Sequence, residues 1–140
     1  MLPSLKEYEL FIYGIRERSP AIQSSTLVLV RVGRAVAYVR GEILFKGDIK
    51  LKITEALDFR KGLISGYSYE VYRGDEKLYW YDPQPHPGDP TLASSHPHHK
   101  HIPPDIKHNR IPAPDLSFTE PNLSFLIEEI EEELLLPKEN

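Results

Sequence analysis

Ile49-Lys50-Leu51-Lys52-Ile53-Thr54-Glu55-Ala56-Leu57 decides the fold. Ile49, Leu51, Ile53, Glu55 and Leu57 share one side of an extended chain, while Lys50, Lys52 and Thr54 share the other. Side chains of a strand alternate between faces, so this stretch is a strand with one face toward a core. Glu55 is in register with the apolar residues. A carboxylate there lies at the sheet edge or is paired. Burial raises its pKa and suits it to general-base work; an ion pair with a nearby lysine or arginine is the structural alternative.

Working outward, Gly47-Asp48 offers a turn back to a strand over Ala35–Phe45, in which Gly41 marks a candidate bulge. Gly33-Arg34 turns to a β-branched run over Thr26–Val32. In the other direction come Leu63–Tyr72, a Gly74-Asp75 turn and Lys77–Tyr81. Short connections imply an antiparallel meander of about five strands. Ser4 and Glu7 fit a capping box, and Leu5, Tyr8, Ile12 and Ile15 recur at helical spacing up to Ser19-Pro20. A last helix spans about Glu120 to Leu136, with Leu123, Leu126, Ile127, Ile130 and Leu134 as its apolar stripe and Pro137 after it. The expected fold is α+β: one domain over residues 1–140, with both terminal helices on the face of Ile49, Leu51 and Ile53.

The chain has no cysteine, which excludes disulfide scaffolds, thiolate zinc sites and cysteine catalysis. No signal pattern and no run of about 20 apolar residues is present, so the expectation is a cytoplasmic protein without a membrane segment. The net charge of −4 conceals an asymmetry: from Ser117 onward there are seven acids and one base, leaving the body at +2. A mildly basic body permits nucleic-acid binding by a local patch without requiring it.

Asp82–Pro121 differs from the rest. It holds ten of the 13 prolines and all six histidines. Proline disfavours helix and central strand; a long Pro/His-rich excursion over the body is expected, with His98–Ile102 a candidate edge strand. In extended geometry His96 and His98 share one face, His99 and His101 the other. Imidazoles are metal ligands and neutral-pH acids or bases. A zinc site needs three or four converging ligands, with Glu55 or Asp82 as completers, and spacing alone does not establish convergence. The alternative is a solvated, histidine-biased loop. No metal and no cofactor is assigned.

Tyr67, Tyr69, Tyr72, Tyr79, Trp80 and Tyr81 lie on two strands expected to pair. Cross-strand aromatic packing accounts for them; a stacking platform for unpaired bases is the functional alternative. Tyr81-Asp82 puts a phenol and a carboxylate where the histidine segment begins. The five glutamates between Glu128 and Glu133 read as a solvated helix face or a dock for a basic partner.

The order of an N-terminal helix, Gly41-x-Ile43-x-Phe45, the Gly47-Asp48 turn, a strand bearing Glu55, Tyr67-x-Tyr69, Tyr81-Asp82 and His98-His99-Lys100-His101 resembles the TumE family of bacterial type II toxin–antitoxin systems. The likeness covers most of the chain, and the His-His-Lys-His string after a Tyr-Asp strand end is its most specific part. It implies a small cytoplasmic toxin paired with a helix-turn-helix antitoxin. The chain departs from the shorter pattern by continuing through Ile102–Pro121, with His108-Asn109-Arg110.

With that resemblance, the leading expectation is a toxin acting on RNA as a metal-independent ribonuclease. Glu55 or a histidine takes the 2′-hydroxyl proton, His99 or His101 protonates the leaving oxygen, and Lys100 and Arg110 hold the phosphate. Tyr69, Tyr81, Asp82 and His98 complete the candidate set. The rivals are a non-enzymatic interaction module and a histidine-based metal protein.

Overall fold

The computed structural model describes residues 1–136. Its strands are β1 (Ile22–Ser25), β2 (Val28–Arg31), β3 (Val36–Phe45), β4 (Ile49–Asp58), β5 (Leu63–Arg73), β6 (Glu76–Asp82), β7 (His99–His101) and β8 (Arg110–Pro112). They form one antiparallel sheet in the order β1-β3-β4-β5-β6-β7-β8, with β2 also paired to β3. The expected meander of about five strands is therefore the middle of an eight-stranded sheet. The three additions had weak signals. Ile22-Gln23-Ser24-Ser25 has one apolar residue, and β7 and β8 are three-residue strands among prolines. β7 is not an edge: β6 flanks it on one side and β8 on the other. Pro112, which lacks an N–H, sits in the terminal strand β8, where a missing donor costs little.

The alternation in β4 holds. Ile49, Leu51, Ile53, Glu55 and Leu57 are all buried. They share one core with α1 (Leu5–Tyr13) and α2 (Leu123–Ile130), so the helices do cover this face. α1 begins as expected: the Glu7 amide donates to Ser4 Oγ at 3.2 Å, and the Ser4 hydroxyl donates to Glu7 Oε1 at 3.0 Å. It stops at Gly14, and a tight turn over Ile15–Arg18 carries the chain to Ser19-Pro20. α2 starts later than expected. Asn122, just ahead of it, spends its side chain on Ser117 and Tyr69 rather than on a helix cap. After Ile130 the helix widens through Glu131–Leu135. Pro137 lies outside the described residues.

Gly41 is not a bulge between β3 and β4, whose register runs unbroken through Gly41–Ile53. It is instead the point where the chain steps from β1 to β2 along the other edge of β3. A Cβ there would sit 2.7 Å from Thr26 O and 2.9 Å from Leu27 Cα, and φ is +137°, so only glycine fits. Among the described residues no helix is long and apolar enough to cross a membrane.

After Asp82 the chain leaves the sheet, makes a tight helical turn at Pro90–Ser95, and returns as β7 and β8. The excursion is tied down by Ser95. Its hydroxyl donates to His98 O at 2.6 Å and accepts from the Ala113 amide at 2.9 Å.

Candidate functional site

The sheet sorts the candidate residues into two sets. β5 pairs with β4 so that Tyr67 lies opposite Glu55 and Tyr69 opposite Ile53; Tyr81 lies opposite Tyr69, and Lys100 opposite Tyr81. These belong to the helix-covered face. Trp80 lies opposite Glu70 and His101, and Asp82 opposite His99. These belong to the outer face, with Arg110 opposite His101 on the next strand.

On the helix-covered face, Glu55 is fully buried. The Tyr8 hydroxyl donates to its Oε1 and the Tyr69 hydroxyl to its Oε2, each at 2.5 Å. Asn122 Nδ2 donates to the Tyr69 oxygen at 3.1 Å. Burial pushes the Glu55 carboxyl up, against the two phenol hydrogen bonds that favour its charged form. Burial and the neighbouring carboxylate push both phenols up. The set is closed, and each oxygen of Glu55 has a donor.

A second group lies toward α2. The Tyr81 hydroxyl donates to Glu129 Oε2 at 2.6 Å, and Lys100 Nζ reaches the same oxygen at 3.2 Å while lying 4.2 Å from the centre of the Tyr79 ring. Glu129 Oε1 and the Tyr79 hydroxyl are buried without a hydrogen-bond partner among the described residues. His98 stands apart from both groups. Its Nδ1 lies 2.6 Å from the Tyr67 hydroxyl, and its ring is stacked on Tyr67 and tilted against Phe118. Burial pushes the His98 imidazole down.

The outer face brings together Asp82, His99 and His101. His99 Nε2 is 3.1 Å from Asp82 Oδ1, His101 Nε2 is 3.1 Å from Asp82 Oδ2, and the two Nε2 atoms are 3.1 Å apart. Each imidazole is anchored from behind: His99 Nδ1 lies 3.0 Å from Pro97 O and His101 Nδ1 2.9 Å from Ile106 O. Asp82 is anchored too. The Gln84 amide donates to Oδ1 and the Trp80 indole N–H to Oδ2, both at 2.9 Å. Burial pushes the Asp82 carboxyl up, but these two donors and the imidazoles outweigh it and hold it below the usual range. Both imidazoles are buried, whereas the Asp82 side chain is 23 % exposed, so the cluster meets solvent at the carboxylate. Trp80 packs against His101 at 4.0 Å between ring centres, and Lys77 Nζ lies 4.2 Å over the indole. His86 sits edge-on to His99 at 4.9 Å. Arg110 Nε is buried with no hydrogen-bond partner among the described residues.

The expected set thus divides. Asp82, His99 and His101 meet, with Arg110 beside them. Glu55 and Tyr69 lie in the core, Tyr81 and Lys100 face α2, and His98 joins Tyr67. Sequence reasoning missed Trp80 as the donor to Asp82, His86 as a neighbour of His99, and Glu129 and Asn122 as buried partners. Period-two alternation was the available signal for Trp80 and Asp82, which it puts on one face.

The family model described as Toxin TumE matches residues 13–134 of the chain. No curated protein and no solved structure matches.

Proposed function

The chain belongs to the TumE toxin family, and from that premise we propose that this toxin component of a toxin–antitoxin system acts on RNA, cleaving its phosphodiester backbone at Asp82, His99 and His101. The observation that carries this reading is the convergence of two imidazole Nε2 atoms and a carboxylate within 3.1 Å contacts, on the sheet face that the helices leave uncovered. Cleavage needs a group to take the 2′-hydroxyl proton as that oxygen attacks phosphorus. It also needs a proton for the departing 5′-oxygen and a positive partner for the phosphoryl oxygens. The cluster supplies the proton-handling atoms. Arg110, with a buried N–H left over, supplies the partner. The outer face leading to the site carries Lys50, Lys52 and Lys77 with Tyr72 and Trp80; Glu42 and Glu70 pair with Lys50 and Lys77, so Lys52 and the aromatic rings are what this face offers a nucleic-acid strand.

In this reading Glu55 and Tyr69 brace the core, and Lys100 with Tyr81 fixes α2 to the sheet. The partner is an antitoxin of the helix-turn-helix kind. Purified protein should cleave RNA and arrest growth when expressed without its antitoxin. The His99→Ala/His101→Ala double variant should lose both, by about 100-fold or more in rate. Unimpaired cleavage by a folded double variant would overturn the assignment of the site.

A further inference from the structure

We propose that Asp82, His99 and His101 form a binding site for one divalent first-row transition-metal ion. The contacts around these three side chains cannot all be satisfied by protons. A carbonyl oxygen can only accept, so the contacts to Pro97 O and Ile106 O require a proton on Nδ1 of both imidazoles. In the neutral rings both Nε2 atoms are then lone-pair donors. They face each other at 3.1 Å and face the two Asp82 oxygens at 3.1 Å. A single added proton can bridge one of these three contacts and leaves the other two as lone pair against lone pair. Two added protons give each Nε2–H its own Asp82 oxygen but set two imidazolium charges against each other at 3.1 Å. One doubly charged cation between the atoms satisfies all of them at once.

The geometry agrees with that occupant. Ligands held about 2.1 Å from an ion and set at right angles lie about 3.0 Å apart. The surroundings agree too. A metal-ligating histidine almost always donates its other N–H to a carbonyl, carboxylate or water, and a ligating carboxylate is itself hydrogen-bonded. His99, His101 and Asp82 each meet that condition, the last through Trp80 and Gln84. Two histidines and one carboxylate suit divalent ions such as zinc, iron(II), cobalt or manganese. They leave coordination positions for water or a phosphoryl oxygen, on the side where Asp82 is 23 % exposed. With an ion bound, its water would take over the proton handling that the proposed cleavage asks of the imidazoles, and the ion would polarise the phosphate. That last step rests on the RNA reading; the binding site itself does not.

The test uses the full-length protein with any affinity tag removed. After chelator treatment it is titrated with zinc, manganese and cobalt, and metal content, calorimetric stoichiometry and thermal midpoint are measured. One saturable equivalent per chain is expected for at least one of these ions, with a raised midpoint. Cobalt binding should produce a visible ligand-field spectrum. His101→Gln and Asp82→Asn should weaken binding by more than about 100-fold, while the exposed His96→Ala and His108→Ala leave it unchanged. The absence of a saturable equivalent in the wild type overturns the proposal, whether or not the variants fold. So does one-to-one binding that survives in folded His101→Gln. Stoichiometric metal without RNA cleavage sinks the RNA reading alone; cleavage by a wild type that takes up no saturable equivalent sinks the metal site alone.

Discussion

Glu55 and Asp82 are both carboxylates of this sheet, and their surroundings differ in kind. Glu55 is enclosed between sheet and helices, with a neutral phenol donating to each oxygen. Burial dominates there and its pKa rises. Asp82 lies on the other face, partly exposed, with its carboxyl held below the usual range by the Gln84 amide and the Trp80 indole. Glu55 leaves no atom unmatched, and a complete set of hydrogen bonds holds a structure in one arrangement. The atoms around Asp82 converge without enough protons to go round. The first pattern belongs to a core, and the second is the pattern on which the proposed site rests.

The broadest way to break this contrast is to compare the two faces of β4. Ile53 is 1 % exposed among the core residues, while Lys52 beside it points outward. Ile53→Ala should cost about 3 kcal/mol of stability in chemical denaturation. Lys52→Ala should stay within about 0.5 kcal/mol and reduce RNA affinity instead.

Glu55 sharpens the contrast through pH. Its folded pKa lies above the ordinary value of 4.5, so the folded state holds its proton more tightly than the unfolded state does. The stability this confers is fully present below about pH 4.5 and is lost as pH rises from there through the folded pKa. Glu55→Gln removes that dependence. The variant should be more stable than wild type at pH 8, and the advantage should shrink as the pH is lowered toward 4.5. A wild type whose Glu55-dependent stability grows with pH would contradict the assignment.

A smaller effect is expected at Lys100. It meets Glu129 and the Tyr79 ring on the helix-covered face, largely out of solvent. Lys100→Met keeps the packed stem and removes the charge, leaving Glu129 with the Tyr81 hydroxyl alone. The loss should be about 1–2 kcal/mol of stability, with RNA cleavage changed less than threefold. A collapse of cleavage at unchanged stability would move the site to that face.

Much of this was legible in residue order. Strict alternation over residues 49–57 located the central strand and its buried face, and set Glu55 in register with that face without deciding between burial and the sheet edge. The same rule put His99 and His101 together and Lys100 opposite them. What it cannot carry is register between distant segments. His99 meets Asp82 because β7 pairs with β6 after an excursion of 16 residues, Pro83–His98. That pairing is fixed by the Ser95 bonds and the Trp80 contact rather than by local pattern. Glu129 was hidden for a different reason. It belongs to a run of glutamates that looks like a solvated face, yet it lies three residues after Leu126 on the flank of the apolar stripe, where Tyr81 and Lys100 reach it.

The two carboxylates also supply the most direct test. RNA cleavage by Glu55→Gln and Asp82→Asn would be measured side by side, at one salt concentration, after both are shown to be folded. The expected result is an Asp82→Asn variant reduced by about 100-fold or more and a Glu55→Gln variant within about threefold of wild type. Loss of cleavage in Glu55→Gln with full activity in Asp82→Asn would place the chemistry in the core and contradict the division of the two faces.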